Sequence, residues 1–189
     1  PQIRVSPSRP ETDRLAHVFG APIVLKAKLR DGSLRKEAKK AGVDMLLYEA
    51  GEALRFDENS VRVGVAGILR VMQAMGMLTD RAVRPARRPS VVSPASQWAR
   101  AGAGGLMRAY SGIGDTVDEG ALLGVVSDPL GQFDMPIHAP SHGIVIGRTN
   151  LPVVNEGDAV FHIAELPDPA KGADVNAEAE PLFDEDEII

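Results

Sequence analysis

Cysteine is absent from all 189 residues. That excludes disulfides and thiolate metal sites and fits a reducing cytoplasm. Aromatic residues make up only 4% of the chain, too few for the stacking platforms that hold single-stranded nucleic acid. No apolar run approaches the roughly 18 residues that a membrane span requires, and no secretory signal is present. The first residue is Pro1, not Met, so the chain is expected to begin after processing, after a cut, or after a segment outside it. Lysine is missing from position 41 to position 170, an absence that decides one functional class below.

What is present is ordinary for a soluble globular protein: 44% hydrophobic and 25% charged residues,. The length allows one or two domains. The net charge of −5 is unevenly placed. Residues 165–189 hold nine acidic residues and one lysine, a net of −8, which leaves +3 (20 basic minus 17 acidic) for the rest. A tail at 167–189, rich in Pro, Ala, Asp and Glu, has little to bury and is expected to be a mobile or loosely docked arm.

The most informative run is Val43-Asp44-Met45-Leu46-Leu47-Tyr48-Glu49-Ala50-Gly51-Glu52. Met45 to Tyr48 is short, apolar and flanked by polar and glycine positions, which predicts a buried strand. Glu49 follows at its carboxyl end, where open α/β sheets bind ligands. A partly buried carboxylate there is a candidate general base. The competing reading is a strand cap that faces water.

Residues 1–79 have α/β character. Pro10-Glu11-Thr12-Asp13 opens a helix with Leu15, Ala16 and Phe19 on one face, and Gly20 ends it. Pro22 to Leu25 forms a short strand. Asp31-Gly32-Ser33 caps a helix reaching about Ala41, and Gly42 stops it. A long amphipathic helix is predicted over 58–77, capped by Asp57, Asn59 or Ser60. Its apolar residues Val61, Val65, Ile68, Leu69, Met72 and Met75 recur at helical spacing and are expected to face the core. The pattern suggests the end of a mixed or parallel sheet covered by helices. Residues 80–90 form a basic linker broken by proline; its arginines read as solvated, and nothing else supports nucleic-acid binding.

Residues 91–166 are predicted all-β with an internal repeat. Val117-Asp118-Glu119-Gly120-Ala121-Leu122-Leu123 matches Val154-Asn155-Glu156-Gly157-Asp158-Ala159-Val160, and Gly105-Leu106-Met107 matches Gly143-Ile144-Val145. Each half reads as short strands joined by tight turns. The pattern is similar to biotinyl/lipoyl-type domains, barrel-sandwich hybrids built from two related halves. Those carriers tether a cofactor to a hairpin lysine, and the matching stretch here, 127–134, has none. The fold resemblance stands without the carrier activity.

Taken together, Ser33-Leu34-Arg35, the Leu-Leu-Tyr-Glu-Ala-Gly-Glu run, the long helix, Trp98, Arg100, Gly114-Asp115, Asp128-Pro129-Leu130-Gly131, Ala139-Pro140 and Asn150-Leu151-Pro152 resemble the succinylglutamate desuccinylase/aspartoacylase family of zinc-dependent deacylases. The resemblance covers roughly residues 1–164. It implies a carboxypeptidase-like α/β catalytic domain followed by a β domain that shapes the substrate channel. The implied reaction is hydrolysis of an N-acyl amino acid or a related small amide. Glu49 matches the family's general base.

One departure is serious. The family binds zinc through a His-x-x-Glu pair and a later histidine, and no His-x-x-Glu occurs here. His17, His138, His142 and His162 make no tetrahedral set at their spacing and read as structural or surface residues. The chain therefore resembles the carboxy-terminal portion of the family, with zinc ligands expected upstream. Arg35 is placed to hold a substrate carboxylate, or else is a surface helix arginine. Asn150 faces the channel, or else makes an Asx-type turn. Glu52 is expected to stabilise its loop.

The expected partner is a small N-acyl amino acid, with no nucleic acid and no membrane. A homo-oligomer fits an exposed β-domain edge. Unpaired strand edges in the first region predict poor solubility of the piece alone. The alternative to the enzyme is a non-catalytic β-domain interaction module with a degenerate α/β partner. A nucleophilic hydrolase lacks both the Gly-x-Ser-x-Gly elbow and cysteine,.

Overall fold

The computed structural model describes residues 1–6, 9–79 and 83–167. The expected acidic arm therefore lies outside the described residues beyond position 167, as does Arg81 of the basic linker. The chain divides into two compact units, Pro1–Pro94 and Ala95–Ile189. Among the described residues, no helix is long and apolar enough to cross a membrane.

The first unit is a four-stranded mixed sheet with three helices. Its elements are β1 (Gln2–Val5), α1 (Pro10–Phe19), β2 (Ile23–Lys26), α2 (Leu34–Lys40), β3 (Leu47–Glu49), α3 (Glu58–Ala74) and β4 (Val91–Ser93). The strand order is β3-β1-β2-β4. β1, β2 and β4 run parallel, and β3 runs antiparallel to β1. The helix boundaries follow the local chemistry. Gly20 closes α1 with φ of 74°, a conformation that only glycine takes at no steric cost. Ser33 caps α2 by accepting from the Lys36 N–H, and Asp57 caps α3 by accepting from the Ser60 N–H.

Three features differ from the sequence expectation. β1 was not expected; its alternation Gln2-Ile3-Arg4-Val5 is too short to stand out. β3 is an edge strand of three half-buried residues rather than a buried run, because among the described residues it pairs only with β1. Val91–Ser93 pairs with β2 and completes the first sheet, so the boundary between the units falls near position 94.

The long helix holds a fourth difference. Val61, Val65, Ile68, Leu69 and Met75 are exposed. The buried positions of α3 are Ser60, Gly64 and Gly67, with Val63 and Val71 packed against the core formed by Ile3, Val5, Ala16, Phe19, Ala21 and Val24. Gly67 leaves room for the Phe19 ring, which a Cβ would overlap. The small residues let the helix approach closely, and the large apolar stripe turns outward.

The second unit contains β5 (Ser96–Arg100), β6 (Gly105–Ala109), β7 (Thr116–Val117), β8 (Leu122–Ser127), β9 (Asp134–His138), β10 (Gly143–Arg148), β11 (Val153–Val154) and β12 (Ala159–Glu165). Two four-stranded sheets form, β5-β12-β10-β7 and β11-β6-β8-β9. Exchanging β5 for β9, β6 for β10, β7 for β11 and β8 for β12 turns one order into the reverse of the other. The repeat is therefore real at the level of pairing: Val154 sits opposite Gly105, and Val117 sits opposite Gly143. The register shift at Leu122/Gly124 recurs at the matching positions Ala159/Phe161. Neither half closes a core alone; Leu123, Val126, Val145, Val160, Phe161 and Ile163 come from both and bury together. Among the described residues of this unit there are two sheets and no closed barrel.

Candidate active site

Glu49 ends β3 directly opposite Gln2, the first residue of β1. Because β3 is antiparallel, its carboxyl end lies at the amino end of the parallel strands. The carboxyl-end rule used on the sequence therefore does not place this residue; the pairing with β1 does. Side chains alternate across a strand. Tyr48 and Ile3 face α1 and α3, while Glu49, Gln2 and Arg4 face the other side.

On the helix side, the Tyr48 ring packs on Phe19 with centroids 5.3 Å apart, and its hydroxyl donates to the Ser60 carbonyl at 2.7 Å. On the opposite side, the Gln2 Nε2 donates to Glu49 Oε2 at 3.2 Å, and Arg4 Nε lies 2.8 Å from the same oxygen. The Arg4 contact is an ion pair by distance without hydrogen-bond direction, since Arg4 Nε is buried with no hydrogen-bond partner. Gln2 is 7% exposed, and its Oε1 is likewise buried without a partner. Turning the amide over would set that oxygen against the carboxylate, so the orphaned acceptor comes with the bond to Glu49. Such an acceptor costs about 1–3 kcal/mol unless a water or ligand donates to it. The Glu49 side chain is 39% exposed, which leaves the carboxylate reachable.

Arg35 stands in the first turn of α2 and donates to the Ala27 carbonyl at 3.0 Å and to the Lys28 carbonyl at 3.4 Å. Its pKa is lowered, first by burial and then by Arg4, while Glu49 acts in the opposite direction. Arg35 and Glu49 thus share one electrostatic neighbourhood. Asn150 is an exposed residue of the loop between β10 and β11 in the second unit. Glu52 pairs with Arg55 at 2.9 Å, a local loop contact. Sequence reasoning missed Gln2 and Arg4, because the polar–apolar alternation of β1 is too short to stand out and its pairing with β3 is long-range.

The histidines are dispersed. His17 Nδ1 meets the Asp13 carbonyl at 2.8 Å, and His138 Nδ1 the Gly120 carbonyl at 2.9 Å. His142 Nδ1 lies 3.0 Å from Asp118 Oδ1. His162 stacks on Trp98 at 4.2 Å and meets Ser96 Oγ at 2.8 Å. Among the described residues no group of three or more His, Cys, Asp or Glu could hold a metal ion. The residues described here do not fit a zinc ion.

No family model matches the chain, and no curated protein matches it. Solved structures do. A succinylglutamate desuccinylase/aspartoacylase from Rhodobacter sphaeroides aligns with a TM-score of 0.74 and 20% identity over 87% of this chain and 53% of its own. The ectoine utilization protein EutE (DoeB) from Ruegeria pomeroyi aligns with a TM-score of 0.77 and 18% identity, over 87% of this chain and 55% of its own. An aspartoacylase family protein from Mesorhizobium loti gives 0.67 and 17%, over 88% and 53%. The chain spans about half the length of these structures. It has the α/β-plus-β fold of the succinylglutamate desuccinylase/aspartoacylase structures, over an extent consistent with their carboxy-terminal portion.

Proposed function

We propose that this chain belongs to a deacylase that hydrolyses an N-acyl amino acid or related small amide, with Glu49 as the proton-transfer group. The observation that carries the reading is the anchoring of Glu49: one carboxylate oxygen is held by Gln2 and Arg4, while the side chain remains open to solvent. A general base needs a fixed carboxylate within reach of water. In this reading Glu49 takes a proton from the attacking water as its oxygen bonds to the acyl carbon. It then delivers that proton to the leaving nitrogen as the C–N bond breaks. Arg35 orients a substrate carboxylate with donors its backbone contacts leave over. The zinc ligands implied by the resemblance would come from residues other than these, and no step here runs through the metal. The second unit is read as a barrel-sandwich hybrid, supported by its exchanged halves. A cytoplasmic location is supported by the absence of cysteine,.

The test is hydrolysis of N-acetyl and N-succinyl amino acids by the whole deacylase that contains this chain and by its Glu49→Gln variant, with zinc content measured in both. Loss of about 10²–10⁴-fold at unchanged zinc content is expected for a general base. A loss below about tenfold overturns the assignment. A second reading, a non-catalytic interaction module, is favoured by the lack of a metal-donor set among the described residues. It predicts no hydrolysis and no bound zinc.

A further inference from the structure

The outer face of α3 carries little that is polar. From position 65 to position 77 no exposed residue is polar, and Val65, Ile68, Leu69, Met75 and Met77 are each more than a third exposed. The two polar side chains of that stretch, Arg70 and Gln73, are half-buried. Arg70 turns inward and donates to the Phe19 carbonyl at 2.9 and 2.6 Å. A surface helix ordinarily puts its charged and polar residues toward solvent; this one does the reverse. Leu54 and Phe56, just before the N-cap Asp57, are fully exposed as well. An open apolar surface of this kind marks a contact with another protein surface.

Spacing gives the form of the partner. Val61, Val65, Ile68, Met72 and Met75 follow one another at intervals of four, three, four and three, the seam that packs against another α-helix. Side-chain size gives its direction. The seam begins with two valines and ends with two methionines. Antiparallel pairing of two such seams sets valine against methionine, short against long, as close packing favours. Parallel pairing would set valine on valine and methionine on methionine. Antiparallel helices also bring opposite dipole ends together. A face that is complementary to itself is satisfied by a second copy across a two-fold axis. It also offers no exposed charge past Arg62 by which a different partner would be selected,. From Val61 to Met75 the strip is about 21 Å long at 1.5 Å per residue. A standard interface takes roughly 800 Å² from each partner, more than one helix face of that length supplies, so the association is weak and depends on concentration.

We propose that two copies of this chain associate through α3, antiparallel about a two-fold axis near the middle of the Val61–Met75 seam. The inference is independent of the functional reading. The sample for its test is the whole protein that contains this chain. Sedimentation velocity from about 1 to about 500 µM should show a reversible monomer–dimer equilibrium. Ile68→Glu should weaken the dimer at least about tenfold, the scale of a central interface residue, and Ile68→Ser should weaken it less. In dilute, monomeric protein the face is open, so Ile68→Ser should melt as the parent does. Cysteine pairs read the orientation, since the chain has no cysteine of its own and the parent treated alike reports any background. Val61→Cys alone should give no covalent dimer with a short thiol cross-linker, because antiparallel copies hold these positions about three helical turns apart. Val61→Cys with Met72→Cys should give one, and adding Ile68→Glu should abolish it. A monomer at every concentration overturns the proposal. So does a dimer that Ile68→Glu and Ile68→Ser both leave unchanged, or cross-linking by Val61→Cys alone, which would mean parallel helices. A large loss of stability from Ile68→Ser in monomeric protein would mean that another part of the same protein covers the face, and overturns it as well.

Discussion

Tyr48 donates its hydroxyl to the backbone carbonyl of Ser60 at 2.7 Å, and this bond ties the strand that carries Glu49 to the first turn of α3. Burial, and then the charge of Asp57, push the Tyr48 phenol up to about 12, so the donor persists through the ordinary pH range. Tyr48→Phe keeps the ring on Phe19 and removes only the bond. A loss of about 1 kcal/mol is expected, read as a lower urea midpoint at unchanged slope. Sign follows from linkage: the unfolded phenol ionises near pH 10 and the folded one later, so the parent loses stability as pH rises above about 10. Tyr48→Phe should flatten that alkaline limb. An identical limb in both proteins would show that Tyr48 is not buried as described.

Gly105 and Gly143 open equivalent strands of the β unit, and each presses on a carbonyl. A Cβ at Gly105 would overlap the Ser127 carbonyl oxygen, and one at Gly143 the Ala164 carbonyl oxygen. Ser127 ends β8 and Ala164 lies near the end of β12, so the two clashes are related by the repeat. Gly105→Ala and Gly143→Ala should each cost about 1–3 kcal/mol as overpacking does, and by similar amounts. Gly120→Ala is the control: φ is 80° and nothing lies near, so roughly 1 kcal/mol of backbone strain is expected. A large difference between Gly105→Ala and Gly143→Ala in thermal melts would refute the equivalence of the halves.

Local chemistry was legible wherever it acts within a few residues. Gly20 ended α1, and the cap of α3 fell to Asp57, one of the three candidates Asp57, Asn59 and Ser60, because caps satisfy backbone groups of their own helix. The β repeat was legible because both halves solve the same burial problem with the same residues. Choice of neighbour was not. Val61, Val65 and Ile68 announce a helix face by spacing, but periodicity cannot say which face meets the sheet, and here close approach at Gly64 and Gly67 decided it. Glu49 was singled out by its place after an apolar run; Gln2 and Arg4, which hold its carboxylate, come from a strand more than forty residues away in sequence. The sequence offers no local signal for a pairing of that kind.

The inverted face of α3 makes a prediction opposite to the helical-spacing expectation. Val65 is 53% exposed, so Val65→Ser should change stability by less than about 0.5 kcal/mol. Gly67→Ala replaces a poor helix former with the best, worth about 1 kcal/mol of propensity. Yet its Cβ would overlap the Phe19 ring, and overpacking costs about 1–3 kcal/mol. Net destabilisation by Gly67→Ala, beside near-neutrality of Val65→Ser, is the expected pair of urea midpoints. A stabilised Gly67→Ala would mean that α3 packs on its large apolar residues after all.

Asp57 should make the first unit acid-sensitive through its cap. Asp57 Oδ1 accepts from the Ser60 N–H at 3.1 Å and Oδ2 from the Ser60 hydroxyl at 2.9 Å. The Ser60 N–H and then its hydroxyl hold this carboxyl below its ordinary value. A depressed folded pKa means that the contribution is complete above the unfolded value, near pH 4, and is lost as pH falls through the folded one. At pH 7, Asp57→Ala should cost about 1 kcal/mol. Asp57→Asn should cost little, since asparagine caps about as well. The gap between the parent and Asp57→Ala should then narrow below about pH 4, whereas Asp57→Asn, which does not titrate, should overtake the parent on the acid side. Urea midpoints measured across that range decide it: a gap that stays constant into acid would show that the cap does not act through the charged carboxylate.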